Sequence, residues 1–247
     1  MASDLFSVEG QTIVVTGAGR GIGAAIAAGL SGAGACVYGV DLRYDSTDYL
    51  HQPSVCDLTD ERSLDRLVTS IVEDRGRIDG LVNNAGISLP PSDRYSADLF
   101  VETLSVNTLA PFHLGWLAAQ AMKPPHGDGG SIVNVTSLGA HRGFPSNPSY
   151  QASKAALAQL TRAMAVDLGG FGVRVNSLCP GYIVTQMTGA SHNDAEASRA
   201  RAERTSLGTW GQPADLVGPC QFLLSDASRY VTGIDLPVDG GWLAKGL

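Results

Sequence analysis

The chain has 247 residues, 44% hydrophobic and 17% charged, with a net charge of −7, a balance that excludes a disordered chain and argues against nucleic acid as partner. Its four cysteines, Cys36, Cys56, Cys179 and Cys220, form no Cys-x-x-Cys pair and have no histidine at metal-ligand spacing, so no metal site is expected and they read as buried apolar side chains in a reducing compartment. No run approaches a membrane span and the first residues lack a signal peptide's basic and apolar segments, so a cytoplasmic protein without a membrane partner is expected, one domain over residues 1–247.

The first predicted strand, 12–16, runs directly into Thr16-Gly17-Ala18-Gly19-Arg20-Gly21-Ile22-Gly23 and an alanine-rich helix over 22–31. Glycine permits such a turn and lets a pyrophosphate approach the helix amides with no Cβ in the way, so this is the expected phosphate cradle. Its glycines fit G-x-x-x-G-x-G at Gly17, Gly21 and Gly23, not G-x-G-x-x-G, because position 22 is Ile22. A second strand over 36–40 ends on Asp41. A carboxylate there can accept hydrogen bonds from both adenosine ribose hydroxyls and would repel a 2′-phosphate, so NAD is expected over NADP. Arg20 and Arg43 are the opposing signals, while Leu42 occupies the position right after the acid.

Further along come a helix over 61–74, a strand over 80–83, a long helix over 98–122, a strand over 131–135, a helix over 150–168, a strand over 173–177, a helix over 214–224 and a strand over 234–238. This alternation predicts an α/β fold: a doubly wound, Rossmann-like parallel sheet with helices on both faces, binding ligands at the carboxyl ends of its strands. Residues 186–210 depart from the pattern and are expected to form a lid over the pocket. Inside the long helix, the Asn107 carbonyl would accept from the amide of residue 111, but Pro111 has no N–H, which leaves that carbonyl free to hold a water.

The run Tyr150-Gln151-Ala152-Ser153-Lys154 carries most of the chemistry. Its Tyr and Lys are four residues apart (154 − 150 = 4) and share one helix face, so the ammonium can favour the ionised phenol. A free phenol titrates near ~10, and lowering it by two to three units takes roughly 3 to 4 kcal/mol. A positive charge about 5 Å away supplies on the order of 3 kcal/mol at an effective dielectric near 20. A tyrosine tuned in this way is a general acid/base.

With the glycine turn, Asn83-Asn84-Ala85-Gly86, Ser137, Tyr150 and Lys154 in this order, and 13 residues from the serine to the tyrosine (150 − 137 = 13), the chain resembles the short-chain dehydrogenase/reductase family in its compact single-domain form. The likeness covers essentially the whole chain, from about Gly10 to Gly241. It implies that Ser137 hydrogen-bonds the substrate oxygen, that Tyr150 exchanges a proton with it, that Lys154 lowers the tyrosine pKa and holds the nicotinamide ribose, and that Asn107 supports a proton-relaying water. It further implies a cofactor site built from Gly17, Gly19, Arg20, Gly21, Ile22 and Gly23 at the phosphates, Asp41 at the ribose, and Asp57 with the Leu58 backbone at the adenine amine. Asn83, Ala85 and Gly86 would line the adenosine side, and Pro180, Gly181, Ile183 and Thr185 would flank the nicotinamide beside Tyr150 and Lys154.

The expected reaction is hydride transfer between NAD and a secondary alcohol or ketone, working as an oxidation. Ser88, Gly139, Asn147, Gln151 and Tyr182, positions that usually face the pocket in similar enzymes, would make a polar wall suited to a polyol, sugar, sugar acid or small hydroxy acid. An anionic substrate group could meet His192, Arg199, Arg201 or Arg204 in the lid, or His141 or Arg142, although a solvated helical face explains those charges as well. An apolar tail of Trp242, Leu243 and Leu247, with the tetramers of similar proteins, points to a homotetramer or homodimer. Two alternatives remain open: an NADPH-dependent carbonyl reductase of 3-oxoacyl type, and a non-catalytic NAD-sensing interaction protein on the same fold. A nucleotide-sugar epimerase would need a larger C-terminal substrate domain than this chain has room for.

Overall fold

The protein is described by a computed structural model covering residues 5–89 and 94–245. Its strands are β1 (Thr12–Thr16), β2 (Cys36–Asp41), β3 (Gln52–Val55), β4 (Gly80–Asn83), β5 (Gly130–Val135), β6 (Val173–Pro180) and β7 (Asp235–Val238). They form one seven-stranded sheet in the order β3-β2-β1-β4-β5-β6-β7, with every neighbouring pair parallel. Around it lie α1 (Gly21–Gly32), α2 (Glu61–Arg75), α3 (Ala97–Leu104), α4 (Ala110–Met122), α5 (Pro148–Leu168), α6 (Gly189–Asn193), α7 (Ala195–Arg204), α8 (Val217–Leu224) and α9 (Trp242–Lys245).

Strand periodicity divides the core in two. Val14, Tyr38, Leu81, Ile132 and Val175 point to one face, where they meet Leu64 and Ile71 of α2, Leu114 and Met122 of α4, and Met164 and Leu168 of α5. Ile13, Val37, Val82, Val133 and Leu178 point to the other, against Ile26 and Leu30 of α1 and Cys220 and Leu223 of α8. Burial on both faces makes β1 and β4 continuous apolar runs, which is why their limits are legible in the sequence. All four cysteines are free thiols. Among the described residues no helix is long and apolar enough to cross a membrane.

Two elements depart from the sequence-based expectation. Strand β3 has no counterpart there, because Gln-Pro-Ser-Val is an edge strand, mostly exposed, with Pro53 inside it. The helix expected over 98–122 is broken: α3 and α4 are joined by a π-helical turn, Ser105–Leu109, centred on Asn107. The break falls where Pro111 removes the amide an α-helical ladder would need. The segment 186–210, expected as a lid, is also more regular than expected, with α6 and α7 inside it.

Chain order reverses between β1 and β4, so their carboxyl ends part company and open a crevice. Thr16 Oγ1 accepts from the amides of Asn84 and Ala85, both at 3.0 Å, and Asn84 Nδ2 donates to the Thr16 carbonyl at 2.9 Å. These bonds fix the two strand ends at the width the crevice needs.

Candidate active site

A cavity of about 350 Å³ runs along the carboxyl ends of the strands, from the glycine turn to the start of α6. At its phosphate end, α1 begins with Arg20 as an extended N-cap that makes no side-chain cap, and no acidic residue stands in the first turn. Its first amides are therefore available to an anion, and Gly17, Arg20, Gly21 and Ile22 line the cavity beside them. Gly19 and Gly23 lie behind this surface. A Cβ on Gly19 would stand 2.0 Å from the Arg43 carbonyl oxygen, and one on Gly23 would stand 2.0 Å from the Gly17 carbonyl oxygen, so both act by permitting close backbone packing. The loop thus fits a dinucleotide pyrophosphate.

Asp41 lines the same cavity at the end of β2. Its Oδ2 accepts from the Gly19 amide at 2.9 Å and its Oδ1 from the Leu42 amide at 2.7 Å, which ties the glycine turn to β2. Of the two opposing cations, Arg20 borders the cavity, whereas Arg43 does not and its carbonyl packs on Gly19 behind it. Asp57 and Leu58 line the adjoining wall. Asp57 Oδ1 accepts from Thr59, while the cap of α2 is Asp60, whose Oδ1 accepts from the Arg62 amide.

At the other end, Ser137 after β5, Tyr150 in the first turn of α5 and Lys154 one turn later all face the cavity, with Pro180, Gly181, Ile183 and Thr185 opposite. Asn147 caps α5, accepting from the Tyr150 amide at 3.2 Å. Ser137 Oγ accepts from the Gly139 amide at 3.1 Å and is also hydrogen-bonded to the Tyr150 side chain. Lys154 is buried, and its Nζ donates to the Val135 carbonyl at 2.8 Å while standing 5.9 Å from the centroid of the Tyr150 ring.

The electrostatics differ from the charge arithmetic of the sequence. Burial pushes the Tyr150 phenol up from its ordinary value, and the hydrogen bond with Ser137 only partly offsets this. Burial also pushes the Lys154 amine down, to about 8. In the chain by itself, desolvation sets the direction of both shifts, a cost that spacing along a helix does not reveal.

Several expected site residues lie elsewhere. Asn83 is interior, with Nδ2 donating to Asn134 Oδ1 at 2.9 Å, and Asn84 takes the place on the wall beside Ala85 and Gly86. Asn107 sits behind Gly86: Oδ1 accepts from the Ile87 amide at 2.8 Å, and Nδ2 donates to the Ile87 carbonyl at 2.9 Å and to Ser153 Oγ at 3.0 Å. None of the polar wall of Ser88, Gly139, Asn147, Gln151 and Tyr182 borders this cavity. Ser88 Oγ accepts from Asn147 Nδ2 at 2.7 Å, and the Gln151 amide is spent on the Phe144 backbone, at 2.6 Å to its N–H and 2.7 Å to its carbonyl. Gly139 abuts Gln151, and Tyr182 packs on Trp210, with ring centroids 5.4 Å apart. In their place stand Ile87, Val106, Gln186, Met187 and Thr188. A signal for the last three was their position directly after Thr185: the Thr188 hydroxyl closes a turn there, accepting from the Thr185 amide at 3.0 Å.

The apolar tail is likewise not free. Trp242 packs on Phe144, with ring centroids 5.4 Å apart, and lies edge-on to Tyr182 at 6.5 Å. Leu247 lies outside the described residues. Of the expected anion contacts, His141 pairs with Asp235 at 3.9 Å, Arg199 pairs with Glu203 at 3.4 Å, His192 lies edge-on to Trp210, and Arg142 and Arg204 are exposed.

Comparison with known proteins places this geometry among nicotinamide-linked oxidoreductases. Residues 17–243 match the family described as enoyl-(acyl carrier protein) reductase. The 2-dehydro-3-deoxy-D-gluconate 5-dehydrogenase of Pseudoalteromonas atlantica is 38% identical over 252 residues, covering 97% of this chain and 98% of that protein. A gluconate 5-dehydrogenase from Burkholderia cenocepacia, solved with NADP and tartrate, superposes with a TM-score of 0.90 at 32% identity, covering 99% of both chains. A 7α-hydroxysteroid dehydrogenase complexed with NADH and 7-oxo glycochenodeoxycholic acid gives 0.91 at 33% identity, covering 97% of this chain and 96% of that one.

The buried lysine sets a pH test. Its amine titrates at about 8 in the folded protein against an ordinary 10.5, so between those values the unfolded chain binds more protons and stability rises with pH. The Tyr150 phenol, pushed up from 10.0, works in the opposite sense above that value, which leaves a window from about 8 to 10. The difference in urea midpoint between the ligand-free protein and Lys154→Met is expected to shift in favour of the wild type as pH climbs through that window. A difference that stays constant would mean that the amine titrates normally.

Proposed function

Because this chain belongs to the short-chain dehydrogenase/reductase family, we propose that it oxidises a secondary hydroxyl of a sugar acid, with a nicotinamide dinucleotide held along the strand ends and Tyr150 as the general base. The observation that carries this reading is the meeting of Ser137, Tyr150 and Lys154 at one end of a crevice whose other end is an uncapped helix start. The sugar acid comes from the relatives, whose names specify gluconate derivatives. When bound, the dinucleotide supplies the hydride acceptor.

The residues of the chain bind and move the proton. Ser137 Oγ, anchored by the Gly139 amide, holds the substrate oxygen beside the phenol. Tyr150 takes the proton from the hydroxyl oxygen as hydride leaves the carbon that bears it. Lys154, held by Val135, supplies positive charge one helical turn away, so that it stabilises the phenolate that accepts the proton. Asn107 acts at one remove, clamping the backbone of Ile87 and bracing Ser153 of α5. Residues Gln186 to Trp210 form the lid, entered through the Thr188 turn.

D-gluconate and 2-dehydro-3-deoxy-D-gluconate, offered with NAD, are expected to produce reduced cofactor. Tyr150→Phe is expected to lose roughly 10²- to 10⁴-fold in kcat while still binding the dinucleotide. Since burial raises the phenol, oxidation by the wild type should speed up toward alkaline pH and the reverse reduction should slow. Turnover that survives in Tyr150→Phe, or no acid turned over by the wild type, removes this reading.

We assign NAD as the preferred dinucleotide because Asp41 presents its carboxylate at the ribose end of the cavity. The opposing reading, NADP with a carbonyl reductase direction, has Arg20 in that wall and the NADP in the relative's crystal behind it. The wild type should give the higher kcat/KM with NAD, and Asp41→Ala should lower that value by roughly tenfold or more, on the scale of a lost charge-assisted hydrogen-bonded pair. A wild type that prefers NADP reverses the assignment.

An apolar face on α3, α4 and α5 supports the expected homo-oligomer. Phe100, Val101, Phe112, Trp116 and Val166 of these helices are exposed, and Phe112 with Leu104, Leu160 and, from the π-helical turn, Leu109 lines a shallow groove. A patch of that kind is covered by a second copy more readily than by water. Light scattering at micromolar concentration should give a multiple of the chain mass, and Trp116→Glu with Phe112→Glu should halve it. A monomeric wild type ends this part of the reading.

A further inference from the structure

One cation of the lid is held in place with its hydrogen-bond donors unspent. Arg201 of α7 is half-buried, and its guanidinium carbon stands 5.1 Å from the centroid of the Tyr182 ring and 5.8 Å from that of Trp210. Contact with two rings holds the guanidinium in place but uses none of its N–H groups. Among the described residues no carboxylate pairs with it, whereas its neighbour Arg199 is tied to Glu203.

The support beneath Arg201 is fastened to the cavity. The Gly211 amide donates to the Tyr182 carbonyl at 3.0 Å and the Val184 amide donates to the Gly211 carbonyl at 3.0 Å, so the segments bearing the two rings are bridged. Trp210 Nε1 donates to the Ser198 carbonyl at 3.0 Å, which pins α7 to the same platform. Gly181 and Ile183, on either side of Tyr182, line the cavity, as does Thr188 just before α6. A guanidinium that stands over two rings, half-buried and unpaired, on a platform joined to the cavity wall keeps its N–H fork available for bidentate pairing with a carboxylate. In a sugar acid that group stands at the far end of the carbon chain from the hydroxyl a 5-dehydrogenase oxidises, so a substrate with its hydroxyl at Tyr150 must extend its carboxylate away from α5.

Resting on the sugar-acid reading, we infer that Arg201 binds the substrate carboxylate and thereby selects acids over neutral polyols of similar length. The effect belongs to binding. Arg199, already paired and exposed, provides the control.

The test compares D-gluconate with neutral D-sorbitol, as substrate or as competitive inhibitor, in NAD-loaded wild type, Arg201→Gln, Arg201→Lys and Arg199→Gln. Arg201→Gln is expected to raise KM for gluconate roughly ten- to hundredfold, the change that losing a charge-assisted pair brings, with kcat altered far less. The sorbitol constant should not move, so discrimination falls by the same factor. Arg201→Lys, which keeps the charge and loses the planar fork, should lie between the two, and Arg199→Gln should behave as wild type. Equal losses for gluconate and sorbitol would mean that Arg201 only braces α7, and an unchanged gluconate KM would mean that the carboxylate lies elsewhere; either result overturns the inference. Failure of the sugar-acid reading is distinct, because it appears in the wild type alone as absence of turnover with gluconate and 2-dehydro-3-deoxy-D-gluconate.

Discussion

The site depends on how β1 and β4 separate at their carboxyl ends. Parallel strands that run side by side must diverge where the chain order reverses, and the backbone groups freed there need partners or water. Thr16 and Asn84 supply those partners: one hydroxyl accepts from two successive amides, and one carboxamide donates to the carbonyls of Thr16 and Gly17, at 2.9 and 3.3 Å. The clasp leaves the first amides of α1 outside it. The glycine turn beside it is packed so closely, Gly23 against Gly17 and Gly19 against Arg43, that the helix start cannot retreat.

A second constraint runs from this crevice into α5. Asn107 joins the loop after β4 to Ser153 through its carboxamide, and Ser153 Oγ donates to the Tyr150 carbonyl at 2.7 Å. The catalytic turn of α5 is therefore tied to the π-helical turn, and its position follows from a residue whose side chain does not border the cavity. Placing Lys154 in this environment costs stability, since a buried amine held by one carbonyl is poorly compensated. Such a cost is tolerated where the charge acts on a neighbouring titratable group, and Tyr150 is that neighbour.

The sequence was most legible where a residue's role follows from its own chemistry or from a short spacing. Apolar runs bounded β1 and β4 and the glycine run ended where α1 starts, whereas the helix expected over 98–122 hid the break that Pro111 imposes. It was opaque where side chains from distant segments satisfy one another. Nothing local says that Asn147 donates to Ser88, that Gln151 turns back onto Phe144, or that Asn83 is spent on Asn134; each looks like an available polar group until its partner is placed. Burial is the other quantity that spacing leaves out in the ligand-free chain. Four residues of spacing puts an amine near a phenol, but the sign of the phenol's shift is set by surrounding atoms that spacing does not count.

The same backbone frame superposes on a steroid dehydrogenase as closely as on a gluconate dehydrogenase, so the strand order does not choose the substrate. What can choose it is the layer added after β6. There Tyr182, Trp210 and Trp242, joined by Phe144 from the loop before α5, pack ring against ring. An aromatic platform of this kind is stiff, because each ring brings much contact area with few rotatable bonds. Stiffness favours a small ligand held by oriented polar groups over a large one that must remodel the wall.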